Sequence, residues 1–401
     1  MNYLTDERKR VKENAYAFAM SEVLPVANEL DPMEADIPWE LIAKMGEQRY
    51  FGITVPEQYD GLGLGVFEYC LITEELSRAW MSSASVIARA QGMGVNMLPS
   101  DKREEYLRKQ VRGEFVGAFA LSEAEAGSDV ANVQCRAEKV GDTWVINGEK
   151  KWVGWAKAAD FILLFARTQP MDSTQRWAGI TPFLILKERG SFPKGITGEK
   201  IDKIGYFGIT TWTLRFDDFP VPDVGGGTSS VYGADDERRS RRERREGMGF
   251  IGAVSGLNTA RVHTAARACG AAQGAFDEAM AYAQERKQFG RPIAHFQAIR
   301  FKLAEMATEI EAARQLWYSA AQRMDDGEAV PHEASMAKLF ASEMSERVTS
   351  EAIQVLGGEG YTRNHAVERH WRDARLTKIF EGTSEIQKRI ISDALLGRAG
   401  R

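Results

Sequence analysis

The period of the hydrophobic pattern switches twice along this chain, and that switch constrains its fold most. In "FQAIRFKLAEMATEIEAARQLWYSAAQRM", apolar residues recur at Ile299, Leu303, Met306, Ile310, Ala313, Leu316 and Ala320. Three-four spacing marks one face of a long helix that packs on other helices. "VQCRAEKVGDTWVINGEKKWV", 133–153, instead alternates apolar and polar residues around Gly-Asp and Asn-Gly turns, as a strand–turn–strand does. "DFILLFART", "TPFLILKE" and "TTWTLRFDDFPVP" are further strand candidates. Helical texture fills 1–117, strand texture 118–233, and helical texture returns over 248–401. That order predicts an α+β fold: a helical domain, a middle antiparallel β domain and a C-terminal helical bundle.

Within the first block, "LITEELSRAWMSSASVIARAQGMGVNML" reads as helix up to a stop at Pro99-Ser100, and Ser100 is the expected N-cap of the next helix. Between the second and third blocks, "GGGTSSVYGADDERRSRRERREG", 225–247, runs from glycines into mixed charge with six arginines. A solvated linker over 234–247 is the expectation there, with anion binding by Arg238–Arg245 the alternative.

A chain of 401 residues is long enough for two or three domains, and 44% hydrophobic with 27% charged residues is an ordinary globular composition. A net charge of -5 gives no reason to expect nucleic acid as a partner. Three widely spaced cysteines argue against a disulfide framework and for a reducing compartment. "MNYLTDERKR" is not a signal peptide, and no apolar run approaches the roughly 20 residues of a membrane span, so the cytoplasm is the expected setting.

Known motifs narrow the chemistry by their absence. No dinucleotide or phosphate-loop glycine pattern, no H-E-x-x-H and no G-x-S-x-G is present, and the five histidines lack ligand spacing, so no metal site is expected. Five stretches remain. "AFALSEAEAGSDVAN", 118–132, sets small residues beside Ser122, Gly127 and Ser128, which lets backbone N–H groups approach a ligand or simply makes a turn. "EKKWVGWA", 149–156, places Trp152 and Trp155 around Gly154, for stacking on a flat ring or for core packing. "ERKQFGRPIAHFQ", 285–297, gathers Arg286, Phe289 and Arg291 at a helix junction, where arginines suit a diphosphate or a solvated turn. "QVLGGEGYTRN", 354–364, is a glycine-rich break after a helix. "IFEGTSEIQKRII" sets Glu381 at a bend entering a helix, as a first-turn acid that suits the helix dipole or as a carboxylate that takes a proton.

With these stretches in this order, the chain resembles the acyl-CoA dehydrogenases, from "FGITVPEQYDGLGLG" at 51–65 through "ALSEAEAGSD" and "QVLGGEGYTRNHAVERHWRDAR" to "FEGTSEIQKRII" at 380–391. The resemblance implies a β-barrel-like middle domain, a C-terminal four-helix bundle, FAD as cofactor, and a homodimer or homotetramer with FAD at domain and subunit junctions. It implies an acyl-CoA substrate, or an acyl-carrier-protein thioester, and electron-transfer flavoprotein or a similar acceptor. By resemblance Leu121, Ser122, Gly127 and Ser128 hold the flavin with Trp152 and Gly154; Arg286, Phe289 and Gln297 reach the FAD of a neighbouring subunit. Gln354, Gly357 and Gly358 contact its diphosphate and adenosine, and Thr383 and Glu385 take the remaining cofactor positions. Glu381 matches the catalytic base, with Ser384 and Gln387 suited to a capping box behind it. Ser128, Asn258, Arg261 and Arg389 fall at substrate positions, and Arg89 falls near the far end of the acyl pocket, facing a polar or carboxylated acyl terminus or else the surface.

Three positions depart from the family pattern: Gly154 where Thr or Ser is usual, Phe380 for Tyr, and Asn258 for Asp. Some relatives carry their base on the helix of Ala260, which leaves Glu381 as the candidate here. The expected reaction is removal of an α-proton by Glu381 and of a β-hydride to flavin, giving a 2,3-enoyl thioester. Family variants acting on carrier-protein thioesters, on nitroalkanes or as desulfinases are the alternative.

Overall fold

A computed structural model of the protein describes residues 3–172, 174–222 and 249–397. The charged segment 234–247, with the anion-binding alternative for Arg238–Arg245, lies outside the described residues.

The first block is helical: α1 (Asp6–Phe18), α2 (Leu24–Leu30), α3 (Trp39–Glu47), α4 (Val66–Ala79), α5 (Met81–Val86) and α6 (Ser100–Val111). The helical stretch expected over 71–98 is interrupted at Trp80. Trp80 is extended at φ -159, and the buried Ser83 hydroxyl donates to the carbonyls of Leu76 and Trp80. A hydroxyl that occupies helix carbonyls competes with the next turn. Ser100 is not an N-cap but the first helical residue of α6; Pro99 holds the extended cap position at ψ 142, since its ring fixes φ.

Seven strands form one curled sheet: β1 (Gly117–Ala120), β2 (Arg136–Val140), β3 (Thr143–Gly154), β4 (Phe161–Arg167), β5 (Ile180–Leu186), β6 (Ile196–Ile201) and β7 (Thr211–Pro222). Pairing is mainly antiparallel, but β1 lies parallel to β4, Gly117 opposite Phe161, and β2 touches β4 in parallel at Arg136. No tight hairpin joins β1 to β4, so no turn imposes the antiparallel direction. β3 carries register shifts against β7 between Lys150 and Val153, and Trp152 sits in that irregularity at φ 65. An extra residue there turns the indole outward.

The C-terminal block holds α7 (Gly249–Glu285), the short hairpin β8 (Lys287–Gln288) and β9 (Arg291–Pro292), α8 (Gln297–Asp325), α9 (Pro331–Leu356), α10 (Val367–Thr377) and α11 (Ser384–Leu396). Buried alanines at 265, 268, 272, 275 and 279 line α7, and Gly270 and Gly274 let α4 approach closely. The α4 N-terminus has a glycine at its cap, and Asp325, at the end of α8, accepts from Val66 N at 2.7 Å and Phe67 N at 2.9 Å instead. The helical blocks thus share one packed interface.

Candidate active site

Glu381 occupies the link between α10 and α11 in a left-handed conformation, φ 55, followed by Gly382 at φ 91. A non-glycine residue persists there only where its surroundings hold it. Gln387, buried on α11, donates through Nε2 to the carbonyls of Glu381, 3.2 Å, and Gly382, 2.9 Å. Lys338, wholly buried on α9, donates through Nζ to Gly382 O at 2.8 Å. The expected Ser384–Gln387 capping box does not form. Thr383 is the N-cap, its hydroxyl accepting from Ile386 N at 3.3 Å. Ser384 is already helical and donates to Glu343 at 2.7 Å, so Gln387 is left to hold the bend.

The half-buried Glu381 carboxylate accepts no hydrogen bond among the described residues, and its N–H donates to no protein acceptor there. Three cations from three distant stretches lie in its field: Arg89, Arg261 and Lys338. Burial pushes the pKa of each down, that of Lys338 to about 8, and the charge of Glu381 pulls the other way. Arg261 is buried on α7, donating to Asn258 Oδ1 at 2.9 Å, with its Nε unpaired. A fourth cation, Arg267, lies 4.5 Å over the Phe380 ring.

Arg89, expected at the far end of the acyl pocket or on the surface, is half-buried. Its Nη1 donates to Gly154 O at 2.9 Å. A Cβ at position 154 would stand 2.6 Å from Nη2. The guanidinium therefore takes the space that a side chain at 154 needs.

The loop after β1 is tied down by residues that sequence reasoning missed. Lys150, fully buried in β3, donates to Leu121 O at 2.8 Å and to Glu123 Oε1 at 2.7 Å. Glu123 in turn accepts from Gln134 N and Cys135 N at 2.6 and 2.9 Å. Leu121 and Ser122 are half-buried, while Gly127 and Ser128 are exposed at the tip. Trp152 and Trp155 part company: Trp155 is buried against Trp39, ring centroids 5.1 Å apart, and Trp152 is 57% exposed.

On the helical bundle, Arg286 and Gln297 are exposed beside Phe289, which is 94% exposed at φ 51. Gln354, Gly357 and Gly358 are exposed where α9 ends, with Gly357 at φ 62 and no atom within 4 Å of a Cβ at either glycine. Arg389 and Glu385 are exposed on α11; the Glu385 carboxylate is held low by its own N–H and the Thr383 side chain.

Lys338 and Gln387 were discoverable in principle. Each shares the buried face of its helix, Lys338 with Ala334, Ala337 and Ala341, and Gln387 with Ser384. A polar residue on a face of small or buried neighbours has to find a partner.

Three family models cover nearly all of this architecture: Acyl-CoA dehydrogenase, N-terminal domain, over 5–114, middle domain over 118–219, and C-terminal domain over 247–396. The chain belongs to the acyl-CoA dehydrogenase family. This acyl-CoA dehydrogenase is similar to a 3-(aryl)acrylate reductase of Clostridium sporogenes, 38% identical across 98% of this chain and 100% of the relative. It is 37% identical to an acyl-CoA dehydrogenase of Bacillus subtilis over 98% of this chain and 99% of that one. Among solved structures, butyryl-CoA dehydrogenase from Megasphaera elsdenii superimposes with a TM-score of 0.86 at 34% identity, covering 98% of this chain and 99% of the other.

The protein is thus an oxidoreductase whose cofactor is FAD. Its residues fit that group: an outward indole and a bare phenyl ring suit a flat heterocycle, and open glycines suit phosphates. No helix among the described residues is long and apolar enough to cross a membrane.

Proposed function

We propose that the protein oxidises an acyl thioester to its 2,3-enoyl thioester, with Glu381 as the base. The observation that carries this reading is the Glu381 bend: a carboxylate without a hydrogen-bond partner among the described residues, held at φ 55 by Gln387 and Lys338. Glu381 takes the α-proton, and its free N–H is the donor that polarises the thioester carbonyl as enolate charge develops. FAD, when bound, supplies the acceptor for the β-hydrogen and its electron pair. Arg261 and Lys338 stabilise negative charge in the cleft, since opposite charges interact strongly where water is scarce.

For the cofactor, we assign Leu121, Ser122, Gly127, Ser128, Trp152 and Gly154 to the flavin end, with Thr383 and Glu385 beside it. Gln354, Gly357 and Gly358 serve the diphosphate end, and Arg286, Phe289 and Gln297 the FAD of a second copy. Ser128, Asn258 and Arg389 join Arg261 as the substrate contacts. The exposure of Phe289, Tyr361 at 89% and Phe301 at 58% supports burial by that second copy, in a homodimer or homotetramer. The buried free thiols of Cys70, Cys135 and Cys269 agree with a reducing, cytoplasmic setting. Electron-transfer flavoprotein is the proposed acceptor.

The same groups run in reverse would saturate an enoyl compound, and similarity to a 3-(aryl)acrylate reductase favours that as the second reading. Anaerobic titration of the yellow holoenzyme with acyl-CoAs tests the first. Bleaching of the flavin band is expected, and Glu381→Gln should perturb the spectrum on binding yet slow bleaching about 10²–10⁴-fold. Bleaching by Glu381→Gln at the original rate would refute the assignment.

A further inference from the structure

We propose that Arg89 selects a short acyl thioester whose acyl group carries a carboxylate on, or one carbon beyond, the β-carbon, and that Gly154 lacks a side chain so that the guanidinium can sit there. This deepens the dehydrogenase reading above and rests on it.

Arg89 is a cation without a counter-ion. No carboxylate lies within ion-pair distance of it among the described residues, and its Nε is buried with no hydrogen-bond partner. Burial disfavours its charge, and the carboxylate in its field is that of Glu381, whose charge Arg261 and Lys338 also share. Three cations therefore surround one carboxylate. Buried charges are ordinarily paired, because an isolated one loses its hydration and gains nothing in return. Two other cations show such pairing: the buried Lys150 meets Glu123 at 2.7 Å, and Arg314 meets Glu74 at 2.8 Å. Arg89, like Arg261 and Lys338, has no carboxylate at that distance among the described residues, and it is the one of the three that abuts Gly154.

The seat is specific. Nη1 is anchored on Gly154 O at 2.9 Å, and the neighbouring Tyr206 is itself fixed, its N–H donating to Asp373 at 2.6 Å and its ring meeting Phe380, next to Glu381, at a centroid distance of 6.2 Å. A serine or threonine at 154 would drive its Cβ to 2.6 Å from Nη2 and 3.5 Å from Cζ. Arginine at 89 and glycine at 154 are thus one device. A guanidinium anchored on Gly154 O offers its remaining N–H groups as a fork, the geometry that matches a carboxylate. Glu381 must reach the α-carbon, and Arg89 lies in the field of Glu381, so an acid group that pairs with Arg89 belongs close to the reacting carbons. That excludes a carboxylate at the far end of a long chain. The acid itself makes and breaks no bond: the α-proton goes to Glu381 and the β-hydrogen with its electron pair to FAD.

The experiment titrates anaerobic holoenzyme with succinyl-CoA and glutaryl-CoA against butyryl-CoA and valeryl-CoA, following flavin absorbance. The wild-type protein should half-bleach at concentrations at least about tenfold lower with the acidic pair. Arg89→Gln should collapse that acid-to-neutral ratio by about 10–100-fold, the range for a charged hydrogen bond. Gly154→Ser should reproduce the collapse by displacing the guanidinium, and adding it to Arg89→Gln should change the ratio little further. The same order of affinities should appear as spectral shifts in the Glu381→Gln background, where no turnover intervenes. An acid-to-neutral ratio at or below one in the wild type, or one untouched by both substitutions, overturns the proposal while butyryl-CoA still bleaches. If no thioester of either kind bleaches the protein, the dehydrogenase reading falls with it.

Discussion

Lys338 illustrates how one buried residue sets both stability and chemistry. Its ammonium has no exposure and donates to Gly382 O, and burial lowers its pKa from 10.5 to about 8. Because the folded pKa lies below the unfolded one, the penalty of charging it is fully present below about pH 8 and is relieved as pH rises toward 10.5. Stability from this group should therefore increase with pH across that window. Lys338→Met should lack that increment, as the difference between wild-type and mutant denaturation midpoints at about pH 7.5 and pH 10 would show; parallel curves would refute it. Gln387 has the complementary task of anchoring the bend from below. Gln387→Leu removes hydrogen bonds worth about 0.5–1.5 kcal/mol each, so kcat should fall about 3–10-fold with KM and flavin content nearly preserved.

At the scale of elements, close packing and borrowed caps define the frame. A Cβ at Gly270 would meet Glu74 O at 2.1 Å, and one at Gly274 would meet Arg78 O at 2.3 Å, so α7 and α4 touch backbone to backbone. Gly270→Ala should destabilise by about 1–3 kcal/mol or more, because neither helix can yield locally; unchanged thermal unfolding would contradict that packing. Thr383 caps α11, and Thr383→Ala should cost about 1 kcal/mol while loosening the Glu381 bend next to it. The amphipathic reading of α8 held at Met306, Ile310, Ala313 and Ala320, yet Leu316 is 38% exposed while Trp317 and Tyr318 are buried. Over a helix of 29 residues the buried stripe drifts, and the larger aromatic surfaces take the core positions.

For the whole molecule, Glu74 joins the first helical block to the last. Its carboxylate accepts from Arg314 Nε at 2.8 Å and from the buried Trp317 Nε1 at 3.1 Å. Glu74→Ala would leave Arg314 with Glu311 and Gln273 but strip the buried Trp317 Nε1 of its acceptor, and the expected cost is about 1–3 kcal/mol. A calorimetric transition lower by several degrees, with Trp fluorescence shifted, is the outcome to look for. Since α4 leads through α5 to Arg89, a protein weakened in this way should also lose the acid preference assigned to Arg89. An intact preference would separate the two.

The helix–strand–helix order was readable because periods of 3.6 and 2 are properties of local backbone geometry, and nearly every element lies in the block its pattern assigned. The bend at Glu381 was legible for a related reason: a glycine and a helix start follow it directly in the chain. The breaks at Trp80 and the cap at Thr383 were not, since hydroxyl competition for carbonyls depends on neighbours in space. Least legible was what faces Glu381. Arg89, Arg261 and Lys338 come from stretches 89, 261 and 338 residues into the chain, and only packing brings their charges to one carboxylate. Local sequence determines which segments bury a face; the tertiary fold alone decides which charges are left facing one another once water is removed, because that energy depends on distance through space and not along the chain.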